Sequence, residues 1–71
     1  MNNTDLNTLT TREAYILQLL TEGYDSSEIS DMLYISTHTV KAHISAILKK
    51  LNAKNRTQAV YKAIKDGILK I

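Results

Sequence analysis

Apolar residues recur along this chain at three- and four-residue intervals, in four blocks separated by polar punctuation. That spacing is the signature of helices with one buried face. No stretch alternates apolar and polar as a half-buried strand would, and no internal repeat or low-complexity run is present. In the first block, Ile16, Leu17 and Leu20 share a face. Thr10 and Glu13 have the T-x-x-E spacing of a capping box, Leu9 stands where a hydrophobic staple would, and Gly23 is the stop. The second block is short. Asp25 or Ser26 caps it, Glu28 suits its first turn, and Ile29, Met32 and Leu33 are its expected buried stripe. It ends near Tyr34, and Ile35 in the following turn is expected to plug the core.

Ser36 caps the third and longest block, over about residues 37–51. Val40, Ile44, Ile47, Leu48 and Leu51 share one face. The other face holds His38, Ala42, Ser45 and Lys49, with Lys41 on its flank. Asn52 can end the helix in the left-handed conformation, and Asn55 caps a fourth helix over about residues 56–66, which Gly67 stops. Ala59, Val60, Ala63 and Ile64 are expected to face inward there. Residues 1–8 read as a loose tail and residues 9–71 as one domain. The expected architecture is all-α: a four-helix bundle with a central helix-turn-helix and no wing.

Composition narrows the chemistry. A chain of 71 residues supports one small domain with a thin core. It has no Cys, which excludes disulfides and thiolate metal sites. Apolar residues make up 44%, too many for a disordered tail. No apolar run approaches the roughly 18 residues of a membrane helix, and no signal segment opens the chain. A cytoplasmic protein with no membrane contact is expected.

The net charge of +2 conceals a division. Up to residue 31 the chain holds one base, Arg12, and six acids: Asp5, Glu13, Glu22, Asp25, Glu28 and Asp31. Residues 32–65 hold seven bases (Lys41, Lys49, Lys50, Lys54, Arg56, Lys62, Lys65) and no acid. An acid-free half of this kind suits a polyanionic partner. Lys49, Lys50 and Lys54 read as general electrostatic contributors to such a surface.

A short helix, a tight turn and a longer basic helix make a helix-turn-helix pattern. In its DNA-binding form the second helix enters the major groove. Ser36, Thr37 and Thr39 place hydroxyls beside that helix's N-terminus, where free N–H groups favour a phosphate, and His38 is placed to help. Lys41 can reach guanine or phosphate, Ala42 a thymine methyl, and Ser45 any base or a phosphate. With so few long donors, DNA shape is expected to supply part of any specificity. Thr57, Tyr61, Ile64 and Ile68 form a second stripe on the fourth helix, suited to an isologous dimer seam.

Catalytic and metal chemistry find no support. His38 and His43 lie about 140° apart on a helix, and no Cys or nearby carboxylate completes a site. No Gly-rich phosphate loop and no Ser/His/Asp grouping occurs. Neither an enzyme nor a cofactor is expected. The competing reading is a helical protein-interaction module that docks on another regulator or on RNA polymerase without gripping DNA.

The residues themselves are similar to a known family. Leu9-Thr10-Thr11-Arg12-Glu13 resembles the L-T-x-R-E opening of LuxR-type (NarL/FixJ, GerE-like) DNA-binding domains. Glu22-Gly23, Glu28-Ile29, Ile35-Ser36, Thr39-Val40-Lys41, His43-Ile44, Ile47-Leu48, Lys50-Leu51 and Arg56-Thr57-Gln58-Ala59-Val60 continue the pattern in order. The resemblance covers residues 9 to about 69. It implies a four-helix regulator of bacterial transcription whose third helix reads the major groove of double-stranded DNA and whose fourth forms a homodimer contact. By position it implies base or nearby phosphate contact for Lys41, Ala42 and Ser45, and backbone contact for Thr39 and Arg56. Either a stand-alone short member or the output domain of a longer response regulator would look like this. Ser26 and Ser27 depart from the family's usual Asn-Lys, which removes a backbone cation. Ser30 replaces a common Ala, and Asn52 a common Gly.

Overall fold

Each helix begins where a short polar side chain accepts from the backbone N–H three residues on. In the computed structural model, which describes residues 9–67, α1 spans Thr11–Thr21, α2 Ser26–Leu33, α3 Thr37–Lys50 and α4 Arg56–Lys65. Thr10 and Asp25 cap α1 and α2 within full capping boxes, their acceptors 3.0 and 2.8 Å from the Glu13 and Glu28 N–H. Ser36 caps α3 at 3.0 Å and Asn55 caps α4 at 2.8 Å. Asp25, not Ser26, takes the second cap, which frees Ser26 to turn inward.

The helix ends are equally local. Gly23 has φ +93°, yet a Cβ there would meet nothing within 4 Å. Its requirement is therefore dihedral, not spatial. Tyr34 and Asn52 adopt the same left-handed region at φ 58° and 54°. Asn tolerates that region readily, whereas a bulky aromatic does so at a cost. No strand occurs among the described residues.

The core is one cluster: Ile16, Leu17, Leu19 and Leu20 from α1, Ile29 from α2, Val40, Ile44, Ile47 and Leu51 from α3 and its cap, and Ala59 and Ala63 from α4. Leu9, Leu33, Ile35, Leu48, Ala53 and Val60 close its edges. Burying a Leu or Ile side chain fully contributes roughly 1.5–3 kcal/mol, against about 1 kcal/mol for a cap. The caps thus set where helices start, while the cluster holds them together. α3 packs against each of the other three helices, and α4 against α1 and α3.

Two buried stripes are rotated from their expected positions. Met32 is 41% exposed. The inward line of α2 runs through Ser26, Ile29 and Ser30, with Leu33 half-buried. Two small hydroxyls replace one long thioether because α2 lies close on α3, and the Ser30 hydroxyl satisfies itself on the Ser27 carbonyl at 2.7 Å. On α4, Ile64 is 40% exposed, because the helix turns in through Ala59 and Ala63. Ile64 follows Ala63 by one residue, about 100° around the axis. The expected tail (1–8) and the apolar C-terminal residues, Ile68 among them, lie outside the described residues.

Candidate nucleic-acid interface

The outer face of α3 carries His38, Lys41, Ala42, Ser45 and Lys49, all exposed. Their three- and four-residue steps keep them on one stripe, opposite Val40, Ile44 and Ile47. α3 bears no carboxylate. Lys41 and Lys49 make no ion pair among the described residues. Ala42 and Ser45 keep the middle of the stripe low, so nothing bulky blocks a grooved surface.

At the N-terminal end the hydroxyls are interlinked. The Ser36 Oγ accepts from the Thr39 N–H and donates to the Thr39 Oγ1 at 2.9 Å. Thr37 is half-buried, and its hydroxyl donates to the Ser30 Oγ at 3.3 Å. The α3 first turn contains no acid, so its outward N–H groups and dipole retain their attraction for an anion.

Not every base in the acid-free half is free for a partner. The Lys50 Nζ lies 2.7 Å from the Glu13 Oε1. The Lys62 Nζ donates to the backbone carbonyls of Asn52 at 2.6 Å and Leu51 at 3.5 Å, closing the C-terminus of α3. Lys50, expected to add only general surface charge, is a structural ion-pair partner. The T-x-x-E spacing accounts for Glu13 only as a capping-box residue, although the box leaves its carboxylate with capacity for a second donor, which Lys50 fills. The side chain of Glu13 is 7% exposed. Burial by itself pushes its carboxyl upward. The hydrogen bonds from Lys50 and the Thr10 N–H, with the positive charges of Lys50 and His43, outweigh this together, and the group sits below the ordinary value of 4.5.

Arg56 opens α4, and its guanidinium reaches the Ser26 Oγ at 3.4 Å. It thereby brings a cation to the N-terminal end of α2, where the Ser26-Ser27 pair supplies none. A shallow hollow lined by Leu20, Thr21, Arg56, Thr57 and Val60 adjoins it. Thr57, Tyr61 and Ile64 lie exposed along α4, Tyr61 at 62%, with the Lys65 Nζ 6.0 Å from the Tyr61 ring centre. Ile68 lies outside the described residues. His38 is exposed and His43 half-buried, and no group of three His, Cys, Asp or Glu is gathered among the described residues. No helix among them is long and apolar enough to cross a membrane.

Residues 7–63 match the family described as bacterial regulatory proteins, luxR family. The chain belongs to the LuxR family. It is 52% identical over 66 residues to the transcriptional regulatory protein DegU of Brevibacillus brevis, covering 93% of this chain and 28% of that protein. It is 44% identical over 61 residues to the response regulator protein VraR of Staphylococcus aureus, covering 86% of this chain and 29% of that protein. The chain thus spans under a third of the length of these relatives. The solved transcription factor GerE matches with a TM-score of 0.81 and 42% identity, over 87% of this chain and 92% of that one. The response regulator ChrA of a heme-sensing two-component system matches with a TM-score of 0.83 and 37% identity, over 87% of this chain and 31% of that one. The four described helices are therefore a LuxR-type helix-turn-helix DNA-binding domain of a transcription regulator, a non-enzymatic unit.

Proposed function

We propose that this domain binds double-stranded DNA sequence-specifically with α3 in the major groove, as a homodimer. The observation that carries the reading is the α3 stripe: five exposed positions, two of them lysines with no ion pair among the described residues, on a helix without a carboxylate. Lys41, Ala42 and Ser45 would meet base edges, while His38, Lys49, Arg56 and the Ser36, Thr37 and Thr39 end of α3 would meet phosphates. Thr57, Tyr61 and Ile64, with Ile68 beyond them in sequence, would form the seam. Two copies would then address half-sites about 10 bp apart. The similarity to DegU and VraR supports a place as the output domain of a response regulator acting in the bacterial cytoplasm. The acidic α1–α2 side, with Tyr15 and Met32 exposed, is the surface left for protein contacts such as RNA polymerase.

The test is to follow the backbone amide signals of labelled protein as a mixed-sequence duplex is added at low salt. The expected result is movement concentrated in residues 36–49 and near Arg56, reversed by added salt. No movement at high DNA concentration overturns the reading in favour of a protein-docking module.

A further inference from the structure

Polar ties reach α3 from each of its three neighbours. The Thr37 hydroxyl meets Ser30 of α2 at its first turn. Lys62 of α4 meets the Asn52 and Leu51 carbonyls just past its last turn. Lys50, its last residue, meets Glu13 of α1. Apolar packing is non-directional, so Val40, Ile44 and Ile47 fix which face of α3 is buried more firmly than its slide or roll. Directional bonds at the two ends supply what the apolar face does not.

The Glu13 end of the third tie is unusually fixed. Its backbone N–H donates to the Thr10 Oγ1 at 3.0 Å, and the same Oε1 that meets Lys50 accepts from the Thr10 N–H at 2.9 Å. The carboxylate is thus part of the first turn of α1 and not a mobile side-chain tip. Lys50 is anchored to it across 37 residues of sequence, with one-third of its own side chain exposed.

We propose that the Glu13–Lys50 pair is a positioning clamp that sets the pose of α3 on DNA, so that Lys50 supports binding through Glu13 and not through a phosphate. This rests on the reading of α3 as the groove helix. The clamp and simple electrostatics differ in sign at Glu13. Glu13→Gln raises the net charge by one while keeping a residue the capping box accepts. Added positive charge alone would tighten DNA binding, whereas loss of the clamp weakens it.

The experiment compares the wild-type chain with Glu13→Gln, Lys50→Met, the two combined, and Lys50→Arg. Affinity for a selected site and for mixed-sequence DNA is measured against salt, at a temperature where amide spectra show every variant folded. The clamp requires Glu13→Gln and Lys50→Met each to lower affinity for the selected site about tenfold, with less loss on mixed sequence and unchanged salt slopes. The combined variant should be no worse than either alone, since both break one interaction, and Lys50→Arg should restore binding. A slope about one unit smaller in Lys50→Met alone, with Glu13→Gln binding as tightly or more tightly, makes Lys50 a phosphate contact and overturns the clamp. Unchanged affinity in both single variants also overturns it. A wild-type chain without salt-dependent DNA binding overturns the groove reading itself, and the clamp falls with it.

Discussion

The Thr37 hydroxyl donates to the Ser30 Oγ at 3.3 Å, joining the two helices of the helix-turn-helix across a three-residue turn. Ser30 is 7% exposed and also donates to the Ser27 carbonyl at 2.7 Å. The packing of α2 on α3 calls for a short side chain there, and a single neutral hydrogen bond adds direction more than stability. Thr37 is only half-buried, so water can replace the lost acceptor. Ser30→Ala, a gain in helix propensity, should change stability by less than about 1 kcal/mol. Ser30→Leu should cost about 1–3 kcal/mol by overpacking. Urea unfolding of the two variants measures both; a large loss in the alanine variant would show that the hydroxyl pair holds the turn.

Stability should fall with acid through Glu13. Its carboxyl lies below 4.5 in the folded chain, so the unfolded state binds its proton first as pH drops. The contribution is complete above the unfolded value and is lost as pH falls through the lower, folded one. Unfolding free energy measured from pH 7 down to pH 3 should therefore decline below about pH 4.5. Glu13→Gln should cost about 1 kcal/mol at pH 7 and should flatten that decline. An equally steep decline in the variant would assign it to other carboxylates.

Two lysines of the acid-free half should behave oppositely. Lys41 is exposed on the α3 stripe, whereas Lys62 is turned onto the Asn52 carbonyl at 2.6 Å. Lys41→Ala should lower the salt slope of DNA binding by roughly one unit with little effect on folding. Lys62→Ala should leave the slope unchanged and cost about 0.5–1.5 kcal/mol of stability. Reversed behaviour would mean that Lys62 leaves α3 to contact DNA.

The proposed α4 seam should separate association from folding. Tyr61 is 62% and Ile64 40% exposed. Ile64→Glu should weaken binding to a duplex with two half-sites far more than to a single half-site, while stability changes by less than about 0.5 kcal/mol. Equal effects on the two duplexes would remove α4 as the dimer contact.

Helix limits were legible in the chain because their causes are local. Thr10 with Glu13, Asp25 with Glu28, Ser36 with Thr39 and Asn55 with Gln58 each complete a cap within three residues. The left-handed positions at Gly23, Asn52 and Gly67 follow from residue type. The apolar face of α3 and its acid-free outer stripe were legible for the same reason, since periodicity and charge are written along one helix. Periodicity centres a buried face but does not say which of its flanks is covered. Met32 and Ser30 flank Ile29 on opposite sides, about 200° apart, and Ile64 lies about 100° from Ala63; only the packing of α2 on α3, and of α4 on α1 and α3, decided between them. The partners of Lys50, Lys62 and Arg56 were beyond local reading. Glu13, Asn52 and Ser26 lie 37, 10 and 30 residues away from them, and no spacing rule links such pairs. The sequence by itself determined four capped helices and a basic face. The tertiary structure decided which cations stay free on that face, because a charge is committed only when folding brings a fixed acceptor within reach.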